Sequence, residues 1–208
     1  EGKVLELTEG TLARNIAGTG TVKLGGGITV LTDQSIEGIL DGNGQTLTMT
    51  GGTSVSAINT LTVGTLQNTL NLAIDVDMSN FTSDKLAVEI MNGTVNVSSI
   101  NIVKDITADF LAGTEEENTS GLPFTKDSAI TFVSNKEGTG AVASGGTYKV
   151  NNDATGQIVL TNNYKYTFEK GTTDGTLKYK VEVTDLTFKK FMEGTLEGYT
   201  SDPATLSL

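Results

Sequence analysis

The stretch Ser35-Ile36-Glu37-Gly38-Ile39-Leu40-Asp41-Gly42-Asn43-Gly44-Gln45-Thr46-Leu47-Thr48-Met49-Thr50 decides the fold. It holds two short apolar-polar runs on either side of a Gly/Asn turn, and it stops at Gly51-Gly52. In the second run, alternation puts Leu47 and Met49 on one face and Thr46, Thr48 and Thr50 on the other. The Asp41-Gly42 and Asn43-Gly44 pairs supply the positive φ angles that tight turns need. Working outward, Ile28-Thr29-Val30-Leu31-Thr32 ends at Asp33-Gln34, and Thr21-Val22-Lys23-Leu24 ends at Gly25-Gly26-Gly27. A hairpin meander and a β-helix rung share these local signals. Very short strands, nearly constant gaps and Thr at the outward positions favour the rung. Three strands and three turns sum to about 20–25 residues, within the repeat lengths of solenoids.

Downstream the strands lengthen. Thr69-Leu70-Asn71-Leu72-Ala73-Ile74-Asp75-Val76-Asp77 alternates with Leu70, Leu72, Ile74 and Val76 inward. Leu86-Ala87-Val88-Glu89-Ile90 and Thr94-Val95-Asn96-Val97 continue the pattern, and Ile100, Ile102 and Ile106 extend it. The polar run Glu115-Glu116-Glu117-Asn118-Thr119-Ser120-Gly121 then breaks the rhythm. The expected architecture is all-β. Residues 1–108 form the rungs of a right-handed parallel β-helix, and 109–126 form an acidic exposed loop. Residues 127–208 form a hairpin-rich β extension or cap, with a short helix near 185–193. Asp174-Gly175 marks a hairpin turn in that second part. Glu9-Gly10-Thr11-Leu12 returns as Glu193-Gly194-Thr195-Leu196; chance repetition in a Gly- and Thr-rich chain is the plainer reading, and the end beginning a further copy of the opening unit is the sharper one.

Composition removes most chemistry. The 208 residues include no His, no Cys and no Trp, and the net charge is -11. Imidazole bases, thiol nucleophiles, the common triads and the usual Zn²⁺ ligand sets are therefore excluded within this chain, as is a disulfide scaffold. Phosphate backbones want clustered Lys and Arg, so nucleic acid is excluded as a partner. The same charge disfavours an anionic membrane surface, and no apolar run approaches the roughly 20 residues of a membrane helix. Gly25-Gly26-Gly27 is a turn, since no Lys-Ser/Thr follows as in a phosphate loop. Arg14 is the only arginine and lies outside the regular strands, which disfavours an Arg-dependent lyase mechanism. The Asn-x-Ser/Thr sites at Asn80, Asn92, Asn96 and Asn118 follow from composition.

Ser83-Asp84-Lys85-Leu86-Ala87-Val88 followed by Asn92-Gly93-Thr94-Val95-Asn96-Val97 resembles the passenger segments of autotransporters, the β-helical surface proteins of Gram-negative bacteria. Ile39-Leu40-Asp41-Gly42-Asn43-Gly44-Gln45-Thr46-Leu47 resembles a rung found across right-handed parallel β-helices. The resemblance covers about residues 20–105 and implies an exported, extended, adhesin-like or matrix protein. It supplies no catalytic residue.

Three constellations remain. Asp75 and Asp77 share a strand face, with Asp84 nearby in sequence; paired carboxylates suit Ca²⁺ or acid–base work. The plainer and favoured reading is a solvated outer face that discourages edge pairing. Asp41-Gly42-Asn43-Gly44 lacks the further acidic ligands of a Ca²⁺ loop and reads as a turn. Tyr164 and Tyr166 share a face and, with Tyr148 and Tyr179, suit a sugar-stacking platform; the competing reading is core or cross-strand packing. No catalytic residue, metal site or cofactor is expected. The expected function is structural or adhesive, outside the cell or on a bacterial surface, with a host or matrix glycan or protein as partner. Unpaired strand edges at open solenoid ends would template head-to-tail self-association. The alternatives are a glycan-binding module and a carboxylate-based glycan-degrading enzyme.

Overall fold

The computed structural model describes residues 2–51, 58–106, 124–137, 146–154, 156–162 and 164–183. The expected parallel β-helix is present. Its first coil contains β1 (Val4–Leu7) and β2 (Gly10–Thr11). The second contains β3 (Thr21–Leu24) and β4 (Ile28–Thr29), and the third β5 (Gln34–Asp41) and β6 (Thr46–Thr48). The fourth coil is one long strand, β7 (Thr60–Asp77), joined through β8 (Thr82–Ser83) to the fifth, β9 (Lys85–Lys104). Beyond these, β10 (Phe124–Thr131) leads into β11 (Val133–Asn135) and β12 (Thr147–Val150), which lie on successive parts of β9. Every pairing between coils is parallel.

The register measures each coil directly. Val4 lies beside Thr21 and Thr21 beside Ile39, then Gln34 beside Leu61 and Thr60 beside Lys85. The coil therefore widens at the third turn. Inward positions stack into one apolar column set: Leu47, Leu72 and Val97 lie in register and are all but fully buried. Leu12, Val30, Met49 and Ile74 are likewise in the core. Outward threonines keep register too, Thr11 beside Thr29 and Thr29 beside Thr48. Asn ladders tie successive coils: Asn96 Nδ2 donates to Asn71 Oδ1 at 2.8 Å, and Asn152 N donates to Asn96 Oδ1 at 2.9 Å.

Two local readings change. Leu86 to Ile90 and Thr94 to Val97 were read as separate runs, yet β9 joins them unbroken through Asn92-Gly93, beside Gln67 and Asn68 of β7. A coil can bend at a corner without leaving the extended conformation, so a turn-rich pair need not end a strand. In Asp41-Gly42-Asn43-Gly44 the positive φ values fall on Asn43 (47°) and Gly44 (72°). Gly42 is there because a Cβ would sit 2.5 Å from the Thr69 carbonyl oxygen of the next coil. Asp41 Oδ1 closes that turn by accepting from Asn43 N at 3.0 Å.

A second, antiparallel sheet has the order β10, β15 (Thr176–Val183), β14 (Tyr164–Lys170), β13 (Gln157–Leu160). Phe124, Thr125 and Lys126, expected in the acidic loop, pair with β15 in this sheet. The rest of that loop from 109 on, and the helix expected near 185–193, lie outside the described residues. The sheet's apolar face, with Tyr166, Phe168, Leu177 and Tyr179 at 0–1% exposure, is continuous with the core of the coils. Phe81, in the β7–β8 turn, stacks on Tyr179 with ring centroids 5.8 Å apart. The sheet therefore closes over the flank where coils four to six turn.

Candidate functional site

The Asp75–Asp77–Asp84 group lies where β7 ends and β9 begins. The expected solvated face is overturned: these three side chains belong to residues only 2%, 3% and 0% exposed. β8 folds back along the free edge of β7, pairing Val76 with Ser83 and Asp77 with Thr82. Alternation assigns a residue to a face but does not say whether another segment covers it.

Each carboxylate is occupied by donors. Asp84 Oδ1 accepts from Asn59 N and Oδ2 from Asp75 N, both at 2.7 Å. Asn59 precedes β7 and Asp75 is near its end, so one side chain fastens both ends of the fourth coil. Burial pushes the Asp84 carboxyl up to about 7, with the negative charges of Asp75 and Asp33 adding to it, against the opposing effect of the two N–H donors. Asp75 Oδ1 accepts from Asn101 Nδ2 at 2.6 Å and Oδ2 from Gly51 N at 3.0 Å. Burial alone would raise the Asp77 carboxyl, but hydrogen bonds from Ser79 and Asn80, with Lys104 at 3.8 Å, outweigh it and hold it below the usual range. Asp84 serves two backbone N–H groups that would otherwise be buried without acceptors.

The same device recurs at other strand starts. Asn15 Oδ1 accepts from Ser35 N at 2.9 Å, and Asp33 Oδ1 accepts from Thr60 N at 2.6 Å. The sequence signal is an Asn or Asp placed one or two residues before a strand, a pattern that Asp33-Gln34 and Asp84-Lys85 both carry. Asp33 had been read only as part of a turn. No group of three or more acidic side chains positioned for a metal occurs among the described residues.

The tyrosine platform is also corrected. Tyr148, Tyr164, Tyr166 and Tyr179 are 0–3% exposed, so their flat faces meet protein and not a ligand. Tyr164 and Tyr166 do share a face, with ring centroids 5.9 Å apart, and Tyr166 stacks on Phe168 at 5.9 Å. The Tyr166 hydroxyl donates to Asp105 Oδ1 at 3.0 Å and accepts from Ile106 N at 3.1 Å. Burial raises the phenol groups of Tyr164, Tyr166 and Tyr179 above their ordinary range. Asn96 is 1% exposed, so its sequon is closed to a glycan-transferring enzyme.

Among the described residues, one open edge lies at the first coil of the stack. β1 pairs only with β3 among the described residues, leaving its other edge bare. Val4 and Leu5 on that strand are 64% and 48% exposed. A half-open groove of about 540 Å³ runs beside it, lined in part by Lys3, Val4, Leu5, Ile16, Gly18 and Gly38. An uncovered edge strand with exposed apolar side chains is a pairing template. No sequence feature read locally marks this strand as different from the buried ones, because the distinction is its position in the stack. The chain matches no protein-family model, and a search of curated proteins finds no match.

Proposed function

We propose that this chain is a non-catalytic structural or adhesive module, a stiff β-solenoid that holds binding surfaces away from a bacterial surface. The observation that carries the reading is the use to which its acidic groups are put. Asp75, Asp77 and Asp84, the residues that carboxylate chemistry would require, are each committed to N–H donors of the fold, those on Asp84 buried. General acid–base work needs a carboxylate within reach of substrate, and these three residues are only 0–3% exposed. One apolar core continuous through the coils and into the second sheet gives a body suited to spacing and load. The similarity to autotransporter passengers, the extracellular location and a glycan or protein of a host or matrix as the target belong to the same proposal.

The test pairs two assays on the purified chain and on cells displaying it. Adhesion to immobilised matrix proteins and glycans is expected to require intact coils, and to fall when Gly38→Ala disturbs their stacking. Incubation with a polysaccharide panel is expected to release no reducing sugar. Release that disappears in Asp75→Asn or Asp77→Asn would overturn the reading in favour of an enzyme.

A further inference from the structure

The antiparallel sheet has an outer strand whose edge and side chains face the same way out. β13 pairs only with β14 among the described residues. Thr161 N donates to Tyr164 O at 2.9 Å, and the register runs on from that pair through Leu160 beside Lys165, Val159 beside Tyr166 and Ile158 beside Thr167. Bonded and non-bonded pairs alternate along an antiparallel ladder. Val159 therefore turns its N–H and C=O towards β14, and Ile158 and Leu160 turn theirs to the other edge. The same two residues expose their side chains, Ile158 at 59% and Leu160 at 68%. We infer that β13 pairs antiparallel with β13 of a second copy, about a two-fold axis at Val159, joining their four-stranded sheets side by side. This goes beyond the structural-module reading and does not depend on it.

The strand is complementary to itself. With Val159 opposite the same residue of the second copy, Ile158 of each falls opposite Leu160 of the other. Both of these pairs are bonded ones, and they use the N–H and C=O groups that β14 leaves free. The apolar side chains of both copies then meet on one face as cross-strand pairs, the unit of sheet stabilisation.

Charge placement favours a second copy as the occupant. The chain carries a net charge of -11, yet Gln157–Leu160 holds no charged residue and no proline, the devices that usually blunt an edge strand. By register, the outer face of the sheet carries Lys165 and Glu169 on β14, and Lys178, Lys180 and Glu182 on β15. Lys165 is tied to Glu182 at 2.9 Å and Lys178 to Glu169 at 3.1 Å. Side-by-side pairing puts the apolar side chains in the middle and these charges at both margins, the layout of an interface core and rim. No like charges oppose one another across the strand pair. Four residues a side make a small contact, of the weak and reversible class. Such a contact suits copies held at high local concentration on one surface.

The absence of cysteine makes a direct test possible. Ile158→Cys and Leu160→Cys chains are made separately, mixed and oxidised. Bonded partners in an antiparallel pair have Cα atoms about 5.5 Å apart, within disulfide reach, whereas 158 with 158 and 160 with 160 are also offset by two residues along the strands. The expected result is a mixed 158–160 dimer several-fold above either like-with-like dimer. For the natural chain, sedimentation velocity up to about 1 mM is expected to show a monomer–dimer equilibrium. It should tighten with added salt, which screens the repulsion between two acidic bodies. Leu160→Lys should weaken that equilibrium several-fold and leave the thermal melt unchanged, since the side chain it replaces is exposed. A mixed dimer no more abundant than the like-with-like dimers would overturn the proposal. So would a monomer at every concentration, or a dimer that Leu160→Lys leaves intact. Each of these failures leaves the structural-module reading standing, because that reading is decided by sugar release and adhesion.

Discussion

Asp84 makes the stability of this protein depend on pH in an unusual direction. Its residue is fully buried, and its carboxyl sits at about 7 against an ordinary value of 3.8. Because the folded value is raised, the folded chain keeps a proton that the unfolded chain has lost between about pH 4 and 7. Stability from this group is complete below the unfolded value and is lost as pH rises through the folded one. Three pH units correspond to about 4 kcal/mol, and the steepest slope is about 1.4 kcal/mol per unit. Asp77 has the opposite sign, since its carboxyl is held low, and its contribution is lost only in more acidic solution. The window from pH 5 to 8 therefore isolates Asp84 from it. The assay is urea unfolding followed by circular dichroism at half-unit pH steps, on the natural chain and on Asp84→Asn. The variant cannot ionise, so its profile should be flatter by that slope. It keeps one acceptor oxygen for two N–H donors, so at pH 5 it should be weaker by about 1–3 kcal/mol. The gap should narrow or reverse by pH 8, where the natural chain carries a buried charge. Natural-chain stability that rises across this window, or a variant with an unchanged slope, would refute the account of Asp84.

Gly38→Ala puts a Cβ 2.2 Å from the Gly20 carbonyl oxygen of the neighbouring coil, forcing the two coils apart at that corner; a loss of about 1–3 kcal/mol in the same unfolding assay is expected. Tyr166→Phe keeps the ring stack but leaves Ile106 N without its acceptor and Asp105 without a donor, costing about 1–3 kcal/mol and accelerating hydrogen exchange at the Ile106 amide. Asn96→Ala cuts the ladder between Asn71 and Asn152, and should destabilise by about 1–2 kcal/mol, with faster exchange at the Asn152 amide as its local signature.

The coil was legible because its rules are local. Thr46 to Met49 alternate in the sequence and alternate in burial, and the inward set Leu70, Leu72, Ile74 and Val76 is 0% exposed as expected. Local alternation also put Tyr164 and Tyr166 on one face. It could not say that this face would close against the coils, because the partner surface comes from Asp105 and Ile106, far away in sequence. Asp75 and Asp77 failed in the same way: their face was read from alternation, which carried no sign that it would be buried. Asn92-Gly93 failed for a different reason. Turn-forming residues are equally at home at a bent corner of a continuous strand, and no local signal separates the two.

The change in coil perimeter gives the body a thin end and a thick end. Hydrogen bonds with a separation of 19 or 20 residues join the early turns, and those of 25 to 27 join the later ones. Fewer residues per turn enclose less oily interior, so the slender end holds itself together least well. Heat or a pulling force would therefore loosen it first, and the unravelling would travel in a single direction, towards the wider coils flanked by the antiparallel sheet.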